Sequence, residues 1–317
     1  MFQNYEYFLT LAEMLNMSAA ARKLYISHQC LSRYLKTLEQ ECGATLFERH
    51  PSLRLTPSGQ ILLHSFQELK QIEQNTRSAL NDAQNRNVGE VRFGLTEGRL
   101  RIFLPPLLKT FHPLFPDVTI KAVSAPTQDL LKQLSENKLD MVLGSSAQKS
   151  YPNLEQTVVL EEKLYLVVSD ALLRQYFPDR FPACKEEFSR GVDLHLLQKL
   201  PFCMAHQGYH SRRIIDEHLQ EKGISLDIIY EGDQPDLLHI LSANNYACSL
   251  CLSMYLPNVR TLNQMAGNNN QLNIFPIAGL EDKNPISLYT VRGKYLPRYA
   301  KELYRLIQHQ CKTEYEI

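Results

Sequence analysis

Arg33 and Gln29 carry directed hydrogen-bonding chemistry near the start of the chain. A guanidinium fork presents two donors that match the acceptors on a guanine edge, and a carboxamide matches the donor and acceptor of adenine. If the segment is helical, His28, Gln29, Ser32, Arg33 and Lys36 share the face opposite a stripe of Leu31, Leu35 and Leu38. Lys36, Arg49 and Arg54 are suited instead to the phosphates of a backbone. The plainer alternative is a solvated helix face that does nothing.

A second constellation lies further along. Thr96, Glu97, Gly98 and Arg99, then Ser124, then Ser145 and Ser146, stand just after apolar runs, as do His206, Gly208, Tyr209 and Asp233. Small hydroxyls and backbone amides at helix starts favour an anion, and Arg99 or Arg101 would add charge. A carboxylate-bearing small molecule fits that chemistry, although Glu97 would repel it or neutralise the arginine, and Thr96 and Ser124 could serve only as helix caps. Cys248 and Cys251 have CxxC spacing, but they lack a second pair at zinc-site spacing and lie in an apolar run where cysteine acts as a small core residue. His206 and His210 could sit one helical turn apart as metal ligands, yet a satisfied polar pair is the commoner use. No Gly-x-Ser-x-Gly elbow, Walker A loop, dinucleotide fingerprint or His-Glu-x-x-His is present, so the chain does not read as an enzyme. No cofactor and no metal are expected.

The first constellation needs helices to position it. Phe2, Tyr5, Phe8, Leu9 and Ala12 recur at helical steps, Ser18 is a candidate cap for a short second helix, and Ser27 caps a third that ends at Gly43. Leu46–Phe47 and Leu53–Leu55, either side of His50–Ser52, read as the strands and tip of a wing. Thr56 and Pro57 then open a long helix to about residue 87. Leu62, Phe66, Leu69, Ile72, Thr76 and Leu80 form a narrow stripe on it, which suits pairing with a second copy and predicts a dimer. Beyond residue 87, short apolar strands alternate with helical stretches. That βαβ wiring predicts a parallel sheet covered on both faces, with ligands held outside the carboxyl ends of its strands.

Bulk properties bound the rest. At 317 residues the chain exceeds one ordinary core. With 44% hydrophobic and 21% charged residues and no long apolar run or signal peptide, it reads as cytoplasmic, with no membrane partner. Formal net charge is zero, and residues 1–65 hold six basic against five acidic side chains, so charge alone does not point to nucleic acid. Seven cysteines, irregularly spaced, define no disulfide framework.

Ala19–Ala20, Leu24–Ser27, Leu31–Arg33, Leu38–Glu39, Gly43, Leu46–Arg49 and Leu55–Gly59 occur in an order and spacing that resembles the signature of LysR-type transcription regulators. Three departures fall where bases would be read: the family usually has Gln, Pro or Ser, then Ala or Thr after the capping serine, and here stand His28, Gln29 and Cys30. The resemblance implies an α/β protein with an N-terminal all-α winged helix-turn-helix and a two-lobed periplasmic-binding-protein-like effector domain. Expected boundaries are 1–58 for the DNA-binding domain, 59–88 for a dimerising linker helix and 89–317 for the effector domain. Lobe one would be about 90–162 plus 268–317 and lobe two about 163–267. Expected partners are double-stranded promoter DNA, a small-molecule effector between the lobes, further copies of the chain up to a tetramer, and RNA polymerase. Two alternatives stand beside it: a redox- or metal-responsive regulator using Cys248 and Cys251, or a small-molecule binder with a degenerate head. The family's usual glycine pair near Leu241–Ala247 is replaced by Asn244 and Tyr246, which predicts a reshaped loop.

Overall fold

The computed structural model describes residues 4–48, 52–84, 87–145, 149–207, 209–232, 234–266, 271–280 and 284–315. The chain divides into a first unit, Met1–Arg86 with Lys294–Pro297, and a second, Asn87–Gly293 with Arg298–Ile317.

In the first unit, α1 (Tyr5–Met14), α2 (Met17–Lys23) and α3 (His28–Cys42) precede a two-stranded antiparallel wing, β1 (Phe47–Glu48) and β2 (Arg54–Leu55). The helix α4 (Pro57–Ala83) follows. Local signals account for most of these limits. Ser27 Oγ accepts from Cys30 N at 3.1 Å, Gly43 takes φ 64° after α3, and Thr56 Oγ1 accepts from Gly59 N at 3.0 Å with Pro57 at the first helical position. The cap of α2 is Asn16, not Ser18: the Asn16 carboxamide accepts from Ala19 N at 2.9 Å, which places Ser18 inside the first turn. Leu11, Leu31, Leu35, Leu38, Phe47 and Phe66 form the core of this unit.

That core corrects the stripe expected on α4. Phe66 is fully buried against Tyr5 and Phe8, and Leu62 and Leu69 pack on the same cluster. These three therefore serve the head itself, because α4 begins as its fourth helix. Ile72 and Leu80, 61% and 58% exposed, remain uncovered with Thr76, and Ile61 joins them on the outer side.

The second unit runs β3 (Gly89–Leu95), α5 (Glu97–Phe111), β4 (Val118–Ser124), α6 (Thr127–Ser135), β5 (Met141–Ser145) and β6 (Leu154–Glu162). It continues with β7 (Leu164–Ser169), α7 (Asp170–Tyr176), α8 (Cys184–Phe188), α9 (Leu194–Leu197), β8 (Pro201–Ala205), α10 (His210–Glu221), β9 (Asp227–Gly232) and α11 (Pro235–Ala243). Then come β10 (Cys248–Leu252), α12 (Leu256–Ala266), β11 (Leu272–Pro276), β12 (Asn284–Val291) and α13 (Arg298–Gln310). Two five-stranded sheets result, in the orders β4-β3-β5-β12-β6 and β11-β7-β10-β8-β9. Leu130, Leu134, Val142 and Tyr289 pack on the first sheet, and Phe188, Phe202 and Phe275 on the second.

The sheets are mixed, where the alternating pattern suggested a purely parallel one. β12 runs antiparallel to β5 and β6, and β7 antiparallel to β10 and β11. The cause is two crossings: the chain leaves the first sheet between β6 and β7, and returns between β11 and β12 to insert a strand of opposite sense. The expected second crossing near residue 268 is thus early, since Leu272–Pro276 still pairs with Tyr165–Ser169 of the second sheet. The loop after α11 is also resolved by a neighbour: Asn245 takes the left-handed conformation at φ 61°, while Asn244 stays at φ −86° as the helix cap.

Candidate functional sites

Two surfaces carry the chemistry, one in each unit. On α3, burial of Leu31, Leu35 and Leu38 turns Ser27, His28, Gln29, Arg33 and Lys36 outward, and leaves Ser32 half-buried. The wing is held to this helix by Glu39, whose carboxylate accepts from Leu46 N at 2.8 Å. Arg54 is exposed on β2 with its Nε 2.6 Å from Glu48 Oε2 across the wing, so it meets a phosphate only by exchanging partners. Arg49 lies outside the described residues. The exposed face thus offers a guanidinium, an ammonium, a carboxamide and an imidazole on a rigid helix, the donor set for a major-groove edge flanked by phosphates.

In the second unit a cavity of about 500 Å³ opens at the carboxyl ends of strands from both sheets. Thr96, Glu97, Gly98, Arg99, Ser124, Ser145, His206 and Tyr209 all line it, and Ser146, Gly208 and Asp233 lie outside the described residues. The first-sheet side is polar, from Thr96, Ser124, Thr127, Ser145 and Asn284; the second-sheet side mixes apolar Met204, Ile215, Leu238, Leu250 and Leu252 with polar His206, Gln207, Tyr209, Arg212 and His239.

The helix starts around this cavity share one feature. α5, α6, α10 and α11 each place N-terminal residues in its lining, and none has a side-chain cap bond. Elsewhere in the unit Ser169 caps α7 and Asp193 caps α9, while α8 also starts without a side-chain cap. Thr96 stands at the cap position of α5 without bonding its amides, and Ser124 ends β4 two residues before the cap residue of α6. Neither hydroxyl makes a side-chain cap bond, so the first-turn N–H groups of α5 and α6 are left without a side-chain acceptor beside the cavity.

Side-chain cations do not supply that charge. Arg99 is 6% exposed and binds Glu162 through Nη2 at 3.0 Å, and Asn284 Nδ2 donates to the same Glu162 oxygen at 3.2 Å. Burial raises the Glu162 carboxyl, against the pull of the Arg99 guanidinium and the Asn284 amide. Arg101 pairs with Glu97 at 2.7 Å and Asp236 at 2.8 Å. Glu162, not Glu97, neutralises Arg99. Arg212, also in the lining, holds Asp216 at 2.8 Å and Glu231 at 2.6 Å. Every arginine lining the cavity among the described residues is matched by a carboxylate.

Arg212, His239, Tyr255 and Asn284 belong to the lining and escaped the sequence reading. Arg212 sits in the first turn of α10 and His239 on an apolar helix, where nothing local marks them. Burial lowers the His239 pKa to about 4, with Asp236 opposing, so the imidazole is neutral at pH 7. Its Nδ1 has no hydrogen-bond partner among the described residues, and its ring stands edge-on to Tyr255 with centroids 6.3 Å apart.

The cysteine alternative meets a geometric obstacle. Cys248 and Cys251 lie three residues apart on the strand β10, so their side chains leave opposite faces. Both are buried, and burial raises both thiols. No metal-holding group of His, Cys, Asp and Glu occurs among the described residues, and the His210 side chain lies outside that description. No helix among them is long and apolar enough to cross a membrane.

Comparisons with known proteins bear on both surfaces. A family model described as a bacterial regulatory helix-turn-helix protein, lysR family, matches residues 2–60, and one described as the LysR substrate binding domain matches residues 84–312. The chain is 24% identical over 297 residues to the uncharacterized HTH-type transcriptional regulator YybE of Bacillus subtilis, covering 93% of this chain and 94% of that protein. It is 24% identical over 290 residues to the HTH-type transcriptional regulator cbl of Escherichia coli, covering 90% and 84%. Among solved structures, a full-length OxyR from Pseudomonas aeruginosa aligns with a TM-score of 0.65 at 16% identity, over 97% of this chain and 93% of that one. CbnR, a LysR family transcriptional regulator, aligns at 0.52 and 19% identity, over 98% and 99%. At these identities the structural likenesses carry the fold.

Proposed function

The chain belongs to the LysR family, DNA-binding transcription regulators with an effector-binding domain, and on that premise we propose which of its residues do each task. Arg33 and Gln29 read base edges with His28 and Ser32, Ser27 and Lys36 hold phosphate, and the wing residues Arg49 and Arg54 reach the flanking backbone. CbnR, solved in complex with its target DNA, is a precedent for this use of the fold. The DNA-binding domain is joined to the effector domain through α4, Pro57–Ala83, against the 59–88 expected for the linker, and the lobes divide between β6 and β7 and between β11 and β12.

The effector is a small carboxylate with an apolar body. The observation that carries this is that four helix starts without side-chain caps line one cavity that also holds an aliphatic cluster of Met204, Ile215, Leu238, Leu250 and Leu252. Backbone N–H groups, with the hydroxyls of Thr96, Ser124 and Ser145, hold the carboxylate, and Leu238, Leu250 and Ile215 hold the rest. Ligand between the lobes alters their relative orientation and, through that, the DNA bound by a dimer or tetramer. Ile61, Ile72, Thr76 and Leu80 of α4 form the dimer contact. The protein acts in the cytoplasm, and its cavity binds without catalysing.

Thermal shift of the full-length protein against a panel of aliphatic and aromatic carboxylates, each with its amide counterpart, tests the effector class. A carboxylate should raise Tm where its amide does not, and Thr96→Val should weaken that response. Equal responses to acids and amides would overturn the anion. The head is tested by selecting fragmented genomic DNA with wild type and Arg33→Ala. Wild type should enrich a few intergenic fragments and the variant should blur them; equal, uniform retention by both would overturn sequence reading by α3.

A further inference from the structure

Helix α2 ends in a paired-bond C-cap. Tyr25 N donates to Arg22 O at 3.1 Å and Ile26 N to Ala21 O at 3.0 Å, the two bonds that close a helix through one left-handed residue. That residue is Tyr25, at φ 57°. The position favours glycine, because a Cβ crowds the following carbonyl in this conformation, and the same head places Gly43 at φ 64° after α3. An aromatic side chain at such a point is ordinarily compensated by burial. Tyr25 is 96% exposed.

Neither backbone preference nor packing accounts for a tyrosine there, so its value lies outside the monomer. Its position says where. Tyr25 stands two residues ahead of Ser27, the cap of α3, at the end of the helix where exposed His28 and Gln29 begin. The left-handed turn throws the side chain away from the core that joins α2 to α3. A phenol is a neutral donor on a rigid ring with few rotamers, suited to a phosphate oxygen with the ring laid against the sugar.

We propose that Tyr25 is a DNA contact: its hydroxyl donates to a backbone phosphate beside the base pairs under α3 and fixes the register of that helix in the groove. The contact is independent of sequence, and the strain of the turn is retained because the protein binds better for it. Stability and binding are therefore opposed at this residue.

Binding of the full-length protein to a labelled mixed-sequence duplex two helical turns long, read by anisotropy over a salt series, tests this beside calorimetry. Tyr25→Gly should raise the Tm of the head by roughly 4–8 °C and weaken duplex binding by about 5- to 10-fold. Tyr25→Phe should leave Tm unchanged and lose most of that affinity. In both, the slope of log Kd against log salt stays at the wild-type value, because the lost donor is uncharged. Wild-type affinity in Tyr25→Gly, with its Tm raised, would overturn the contact. Wild-type affinity in Tyr25→Phe would overturn the hydroxyl donation. Failure of the wild type itself to bind the duplex would overturn the DNA role of the head, a result distinct from either.

Discussion

Gly59→Ala should destabilise the head, although on helix propensity alone it should stabilise it. Gly59 lies in the first turn of α4, where alanine in place of glycine is worth up to about 1 kcal/mol. Against that, a Cβ on Gly59 would stand 2.1 Å from Leu46 O and 2.9 Å from Leu55 Cδ2. The first of these is backbone, and it is already engaged: Leu46 O accepts from Thr56 N at 3.0 Å, tying the start of the wing to the start of α4. Relieving more than an ångström of overlap moves the wing, forfeits that bond at about 0.5–1.5 kcal/mol, and adds overpacking strain of about 1–3 kcal/mol. The net is a loss of about 1–3 kcal/mol, or roughly 4–24 °C in the Tm of a unit this small. Calorimetry of the full-length protein should show the head transition moved down while the transition of the second unit stays. Duplex binding should weaken with it, since Arg54 rides on the displaced wing. A Gly59→Ala protein with the head transition raised and DNA binding intact would refute the close-contact reasoning.

Three further outcomes follow from the same geometry. Glu162→Gln leaves the Arg99 guanidinium buried without its counter-charge and should lower stability by about 3–5 kcal/mol, whereas Arg99→Leu with Glu162→Leu should recover most of it; chemical denaturation of the three proteins checks both. His239 titrates at about 4 in the folded protein, below its unfolded value near 6.5, so its contribution is complete above pH 6.5 and lost as pH falls toward 4. That loss is about 3 kcal/mol, and His239→Phe should flatten this part of the stability profile; an identical slope in the variant would refute it. Lys36→Gln should weaken binding to all duplexes alike and reduce the salt slope by about one, while Arg33→Ala should lose discrimination between duplexes, both read by anisotropy.

The head was legible because its instructions are local. Ser27, Gly43 and Thr56 with Pro57 each act on amides or carbonyls within four residues, and the Leu31, Leu35 and Leu38 stripe states which face of α3 is buried, hence which face is exposed. Where a local rule had two applicants it failed narrowly, as with Asn16 and Ser18 before α2. In the second unit the strands β3, β4 and β5 and the turns after them were likewise readable, and they delivered the polar wall of the cavity.

What the chain alone determined is therefore every feature set by neighbours in sequence: the helices and their caps, the exposed basic face, the hydroxyls at strand ends. Only the tertiary structure decided which of those groups are free to act. Arg99 is neutralised by Glu162, 63 residues away, and Arg101 by Asp236, 135 residues away, while Phe66 turned out to belong to the head core. β12 reached the middle of the first sheet from the far end of the chain. The physical reason is that a cap or a helical face is a property of a few adjacent residues, whereas the charge of a buried site is a sum over groups that only the crossing of the strands brings within about 3 Å of one another.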